Sequence, residues 1–242
     1  MSARPAVLLR PLVATVAVIA LLTSAGPARA DTITMVNIAD SELPGLFAGS
    51  VTYNWISTTQ ATITLSLKNV SPISNGGYIT AAAFNDPAGA GGVDFSKVTL
   101  TSGPANFSLI GSAGSAPNKA NTLSGSPYGD FDLAVSNSTQ VLGGGTPTTG
   151  IGVNQTGTFV FNITGTGLEL FSAQQFLSTY STDGSSALLV RFRGFNNGQS
   201  DKDVVGMPMS PPAAVPAPPG LVLAGIGFGC LLLGRLRTRT RN

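Results

Sequence analysis

Residues 59–67 read Thr-Gln-Ala-Thr-Ile-Thr-Leu-Ser-Leu, an alternation of period two. It places Ala61, Ile63, Leu65 and Leu67 on one face of a strand and Thr62, Thr64 and Ser66 on the other. Such a segment buries one side and wets the other, which is the habit of antiparallel sheets. Just before it, residues 51–56 put Val51, Tyr53 and Trp55 on one face, and a short turn near Ser57-Thr58 can join the two strands. Further candidate strands are 32–38, 78–84, 97–101, 107–110, 131–135, 156–164 and 187–192. Clusters such as Asn75-Gly76-Gly77, Asp86-Pro87-Ala88-Gly89 and Ser102-Gly103-Pro104 separate them with the backbone angles that turns need. About nine strands at this spacing predict an all-β domain over residues 31–207, an antiparallel, jelly-roll-like β-sandwich. One short helix is expected over 172–180, with Ser172 as its N-cap and Phe176 and Tyr180 on one stripe.

Composition excludes several kinds of chemistry. The chain has no histidine, and its single cysteine, Cys230, lies in a carboxy-terminal apolar run. Ser-His-Asp and Cys-His catalysis, Cys/His zinc sites and internal disulfides all lack a required residue. The formal charge of +2 conceals an acidic middle. Between Asp31 and Gly234 only Lys68, Lys97, Lys119, Arg191, Arg193 and Lys202 oppose all 11 carboxylates, which offers nucleic acid no basic surface.

Both ends carry addresses. Arg4 and Arg10 precede the uncharged apolar stretch 12–22, and Gly26-Pro27 leads into Ala28-Arg29-Ala30. This is the pattern of a secretory signal peptide over 1–30, a signal helix with Ala28 and Ala30 in the small pockets of signal peptidase and a cut after Ala30. At the far end a proline-rich linker, 208–219, is expected to be extended. It leads to a predicted transmembrane helix, 220–234, and a basic tail, 235–242, whose Arg235, Arg237, Arg239 and Arg241 should stay cytoplasmic. The apolar run 221–233 spans about 20 Å as a helix against a hydrocarbon core of about 30 Å, which suits a transient sorting signal better than a permanent anchor.

The segment Val215-Pro216-Ala217-Pro218, the apolar run and the arginine cluster, in that order, resemble the PEP-CTERM sorting signal of bacterial envelope proteins. Ala217 stands where the named motif has Glu. Two internal stretches, Val190-Arg-Phe-Arg-Gly-Phe-Asn-Asn-Gly-Gln-Ser-Asp-Lys-Asp-Val-Val205 and Gly157-Thr-Phe-Val-Phe-Asn-Ile163, are similar to the ending common among PEP-CTERM proteins. The resemblance implies a β-sandwich and processing by an exosortase-type enzyme. It also implies an envelope location, either anchored in the inner membrane facing the periplasm or released to the surface, often beside exopolysaccharide. It implies no known reaction.

Four candidate sites remain in the middle. Arg191 and Arg193 share one strand face, and Asp201 and Asp203 follow at the same spacing, so cross-strand ion pairs are expected to fix the last hairpin. Alternatively Asp130, Asp132, Asp201 or Asp203 helps ligate calcium, although no EF-hand loop is present. No spacing selects a catalytic pair from Glu42, Glu169 and the aspartates. Trp55, Tyr53, Tyr78 and Tyr128 offer ring faces to sugars. The expectation is a non-catalytic exported envelope or matrix protein without cofactor or metal. An exported exopolysaccharide-binding module is the alternative.

Overall fold

The computed structural model describes residues 29–36, 45–87, 90–111, 122–141, 143, 146–182 and 186–205. Ala28, the sorting residues 215–218, the predicted membrane segment and Arg235, Arg237, Arg239 and Arg241 lie outside them. Among the described residues no helix is long and apolar enough to cross a membrane.

The alternating segment builds the centre of the first sheet. β2 (Phe47–Ser57) and β3 (Gln60–Asn69) form a hairpin in which Val51 faces Leu65, Tyr53 faces Ile63 and Trp55 faces Ala61. β11 (Thr156–Thr166) pairs with the other edge of β3, aligning Phe159 with Leu65 and Phe161 with Ile63. β1 (Arg29–Val36) and β5 (Asp94–Ser102) complete the five-stranded order β1-β2-β3-β11-β5, antiparallel throughout. The face opposite the core carries rows of hydroxyls, including Thr32-Thr52-Thr64 and Ser50-Ser66-Thr158. β-Branched threonine suits such a half-wetted surface. β1 begins three residues before the predicted 32–38, and residues 37–38 are not described.

The second sheet has the order β13-β12-β4-β9-β6. Its members are β4 (Gly76–Phe84), β6 (Ser108–Gly111), β9 (Leu133–Ser136), β12 (Leu188–Phe195) and β13 (Ser200–Val204). β10 (Ile151–Gly152) shares the far edge of β4 with β9, pairing at Tyr78 and Ile79. Between β4 and β12 the register slips at Thr80, an extra residue that lets Ile79 and Ala82 both reach the main core. There they join Phe84, Leu133, Val135, Leu188, Val190 and Phe192 in one hydrophobic cluster with Phe159, Phe161 and Ile163 of the first sheet. Phe84 meets Phe161 edge to face, with ring centroids 5.2 Å apart. Each fully buried phenylalanine contributes about 1.5–3 kcal/mol.

The other side of this sheet is also dry. Ala81, Ala83, Ala134 and Leu189 pack with Phe131 and Val141 in a second cluster, flanked by Leu123 and Tyr128. The chain around the small β7 (Leu123–Ser124) and β8 (Asp130–Phe131) ribbon supplies that cover. The predicted strand 131–135 is thus two strands, β8 and β9, broken at Asp132. β7 and β10, of two residues each, are not among the predicted strands, and β13, of five, is the second strand of the expected last hairpin.

The predicted helix 172–180 is a single turn, α1 (Ala173–Phe176). Ser172 caps it as expected, accepting from Gln175 N at 3.2 Å. The helix stops because the hydroxyls of Ser178 and Thr179 both donate to Gln175 O, at 3.2 and 2.9 Å. Phe176 reaches the core, whereas Tyr180 is 52% exposed.

Candidate functional site

A cleft of about 700 Å³ opens where the start of β4 meets β10 and the end of β12. Tyr78 lines it, half-buried, opposite Gly152 on one neighbouring strand and Arg193 on the other. Its ring edges are kept bare by glycine. A Cβ on Gly152 would lie 3.5 Å from Tyr78 Cε1, and one on Gly194 would lie 3.5 Å from Tyr78 Cδ2. Gly194 also has φ +73 and leaves only 2.8 Å between such a Cβ and Pro147, so side chains are excluded there by backbone and by space.

Polar groups are fixed around the ring. Gln155 Oε1 accepts from Gly152 N at 3.0 Å, and Asn196 Nδ2 donates to Ser74 O at 2.9 Å. The 3-10 turn at Pro147–Thr149 forms one wall. Asn137 Nδ2 holds it by donating to Thr146 O and Thr149 Oγ1, each at 3.0 Å. Beneath the floor, fully buried Asn69 at the end of β3 donates to Gly77 O and Ile151 O, each at 3.1 Å, and its Oδ1 accepts from Ser71 N. Asn69 therefore ties the first sheet to the two strands that carry Tyr78 and Gly152. Sequence reasoning did not select it, although it follows Leu65 and Leu67 in the same parity and so occupies a core position with a polar side chain.

Of the four candidate sugar-facing aromatics, only Tyr78 lines the cleft. Tyr53 is core, and its hydroxyl donates to Leu168 O at 2.5 Å. Burial first, then the charges of Asp31 and Glu169, push its phenol well above the ordinary range, with Arg29 opposing. Trp55 packs against the main core and Tyr128 against the second cluster. The cleft lining is uncharged and holds no carboxylate, so it supplies neither partner of a two-carboxylate hydrolysis.

The register of the last hairpin does not set the two arginines directly opposite the two aspartates. Arg191 lies directly opposite Lys202 and Arg193 opposite Ser200, whereas Asp201 faces Phe192 and Asp203 faces Val190. A shift of one residue has exchanged the faces. Arg191 is only 9% exposed and donates from Nη2 to Ser200 Oγ at 3.1 Å. Desolvation, then the nearby Arg193, lowers its pKa, and Asp201 opposes this. Lys202 is lowered likewise, by desolvation and then by Arg191, and its Nζ donates to Ser126 O, tying the covering segment to β13.

The four aspartates proposed for calcium do not converge. Asp132 Oδ2 accepts from Asp86 N, Asp201 Oδ2 from Gly45 N and Asp203 Oδ1 from Val204 N, at 2.8, 2.9 and 2.9 Å. Asp130 lies in the small ribbon, its amide donating to Thr182 Oγ1. No group of three metal-ligating side chains occurs among the described residues. Comparison of the chain with protein-family models, with curated proteins and with solved structures finds no match.

Proposed function

We propose that this is an exported, non-catalytic cell-envelope protein: a β-sandwich domain delivered by a cleaved signal peptide and held or sorted by a PEP-CTERM-like tail. The placement of the paired chain supports the reading. β1 starts at Arg29, two residues inside the predicted signal segment, and β13 ends at Val204, so apart from that overlap the strands lie between the two segments whose composition addresses them to a membrane. The two sheets as the layers of a sandwich are supported by the cluster they share and by the Phe84–Phe161 contact. Signal peptidase and an exosortase-type enzyme are the processing partners this reading requires. Intact-mass measurement of the protein from membrane, periplasm and medium tests it. The expected masses show loss of residues 1–30 everywhere and a further cut near Pro216 in released material. An uncut chain in every fraction overturns it.

A second reading, carbohydrate binding by the same exported domain, is favoured by the Tyr78 cleft. A half-buried aromatic ring bounded by glycines and flanked by the carboxamides of Gln155 and Asn196 suits the CH face and hydroxyls of a sugar. Affinity gels containing neutral or anionic glycans should retard the protein. Tyr78→Ala should weaken that retardation roughly fivefold, the equivalent of about 1 kcal/mol. Equal mobility of both proteins on every glycan sinks the reading.

A further inference from the structure

The cut expected after Ala30 falls inside a strand. Arg29 pairs with Trp55 and Ala30 with Asn54, while Asp31 lies opposite Tyr53, its side chain half-buried. Asp31 already has a structural task, because its Oδ2 accepts from Ala173 N at 2.7 Å and so holds α1 against β1. Its other oxygen, Oδ1, is buried and has no hydrogen-bond partner. A dry carboxylate oxygen without a donor is costly, and here a second carboxylate, Glu169, also acts on the neighbouring Tyr53.

Hydrolysis of the Ala30–Asp31 amide consumes one water and leaves a carboxylate on Ala30 and an ammonium on Asp31. A single amide N–H thereby becomes a cation with three donors, on the same residue as the orphaned oxygen and within reach of it through a six-membered hydrogen-bonded ring. The same cut removes Arg29, the cation whose field opposes Asp31 and Glu169 at Tyr53. We propose that the amino terminus made by signal cleavage is a structural group of the domain: the new Asp31 ammonium takes the unpartnered Asp31 Oδ1 and replaces the charge lost with Arg29. This rests on the export reading for the position of the cut. The consequence is that blocking the amino group of the processed chain costs stability, although the cut also removes the paired residues Arg29 and Ala30 from β1.

The test uses the chain from Asp31 to Asn242, released from a cleavable fusion with a free amino group and compared with the same chain acetylated at that amino group. Both are prepared with and without Asp31→Asn, which removes the carboxylate charge but keeps an acceptor for Ala173 N. Acetylation should lower Tm by about 2–4 °C in the Asp31 chain and by clearly less in the Asp31→Asn chain, where only the field at Glu169 is lost. Equal losses in both, or no loss in either, overturn the proposal. If Asp31→Asn does not fold, titration of the free amino group decides. A pKa above the ordinary range of about 7.7–8.0 supports the pair, and a value within or below it refutes the pair. An exported protein that starts at another residue overturns the cut, a failure distinct from that of the ammonium site, which the released chain measures directly.

Discussion

In the five-stranded sheet the central strands turn one face to the core and the other to water, whereas β4 and β12 of the six-stranded sheet are buried on both. β3 alternates buried and half-exposed residues along most of its length, and β11 does the same. β4 is buried from Ile79 to Phe84 without a break, and β12 from Leu188 to Phe192. The first sheet thus relies on side-chain alternation alone. The second needs small residues, Ala81, Ala83 and Ala134, to leave room for the covering segment. A strand can therefore sit at the centre of a sheet for two different reasons, and a substitution distinguishes them.

The largest expected effect comes from placing the same charge on the two outer faces. Ala83→Lys puts an unpaired ammonium where the native side chain is 0% exposed. It should cost about 3–5 kcal/mol, the usual consequence of an uncompensated buried charge. Thr64→Lys on the outward face of β3 should change stability by no more than about 0.5 kcal/mol. Urea unfolding of the two variants measures the difference directly. Similar costs would mean that the outer face of the second sheet is wet, and the contrast would be gone.

That contrast also decides what could be read from the sequence. The β2–β3 hairpin was legible because Val51, Tyr53, Ala61, Ile63, Leu65 and Leu67 alternate with polar residues, and the register of the pair follows from the short turn between them. The stretch Val190-Arg-Phe-Arg193 alternates just as well, yet it misleads. Arg191, opposite Ala81 and Lys202, takes the face that the 122–131 segment covers, and no local pattern announces a cover that arrives from a distant part of the chain. Asp201 and Asp203 do not directly face the arginines because the turn at residues 196–199 sets the register, and one residue more or less reverses every side chain. Tyr78 was legible as an aromatic candidate, but not its cleft, which is assembled from β4, β10, the 147–149 turn and the end of β12.

An intermediate effect is expected where the two sheets are joined through a polar group. Asn69→Ala leaves the buried Gly77 and Ile151 carbonyls without their side-chain donor. Each group left dry costs about 1–3 kcal/mol. Because those carbonyls belong to the strands bearing Tyr78 and Gly152, the loss should appear first as faster amide exchange in residues 76–79 and 151–152, with the β2–β3 hairpin changed less. Uniform acceleration across both sheets would show that Asn69 supports the whole core and not the joint.

The smallest effect concerns Tyr53, buried on the inner face of the first sheet. Tyr53→Phe loses the hydroxyl bond to Leu168 O, worth about 0.5–1.5 kcal/mol near neutrality. Its pH dependence is the more telling signature. Burial, Asp31 and Glu169 hold the folded phenol protonated to a pH well above the ordinary value, while in the unfolded chain it ionises near about pH 10. The contribution is therefore complete below about pH 10, and it drains away as the pH rises toward the folded value, because the unfolded state sheds a proton that the native state keeps. Urea midpoints at about pH 8 and about pH 11 should fall further for the native protein than for Tyr53→Phe, so that the two converge in alkali. A constant gap would mean that Tyr53 ionises as readily in the fold as outside it, and that the inner face of the first sheet admits water beside β1.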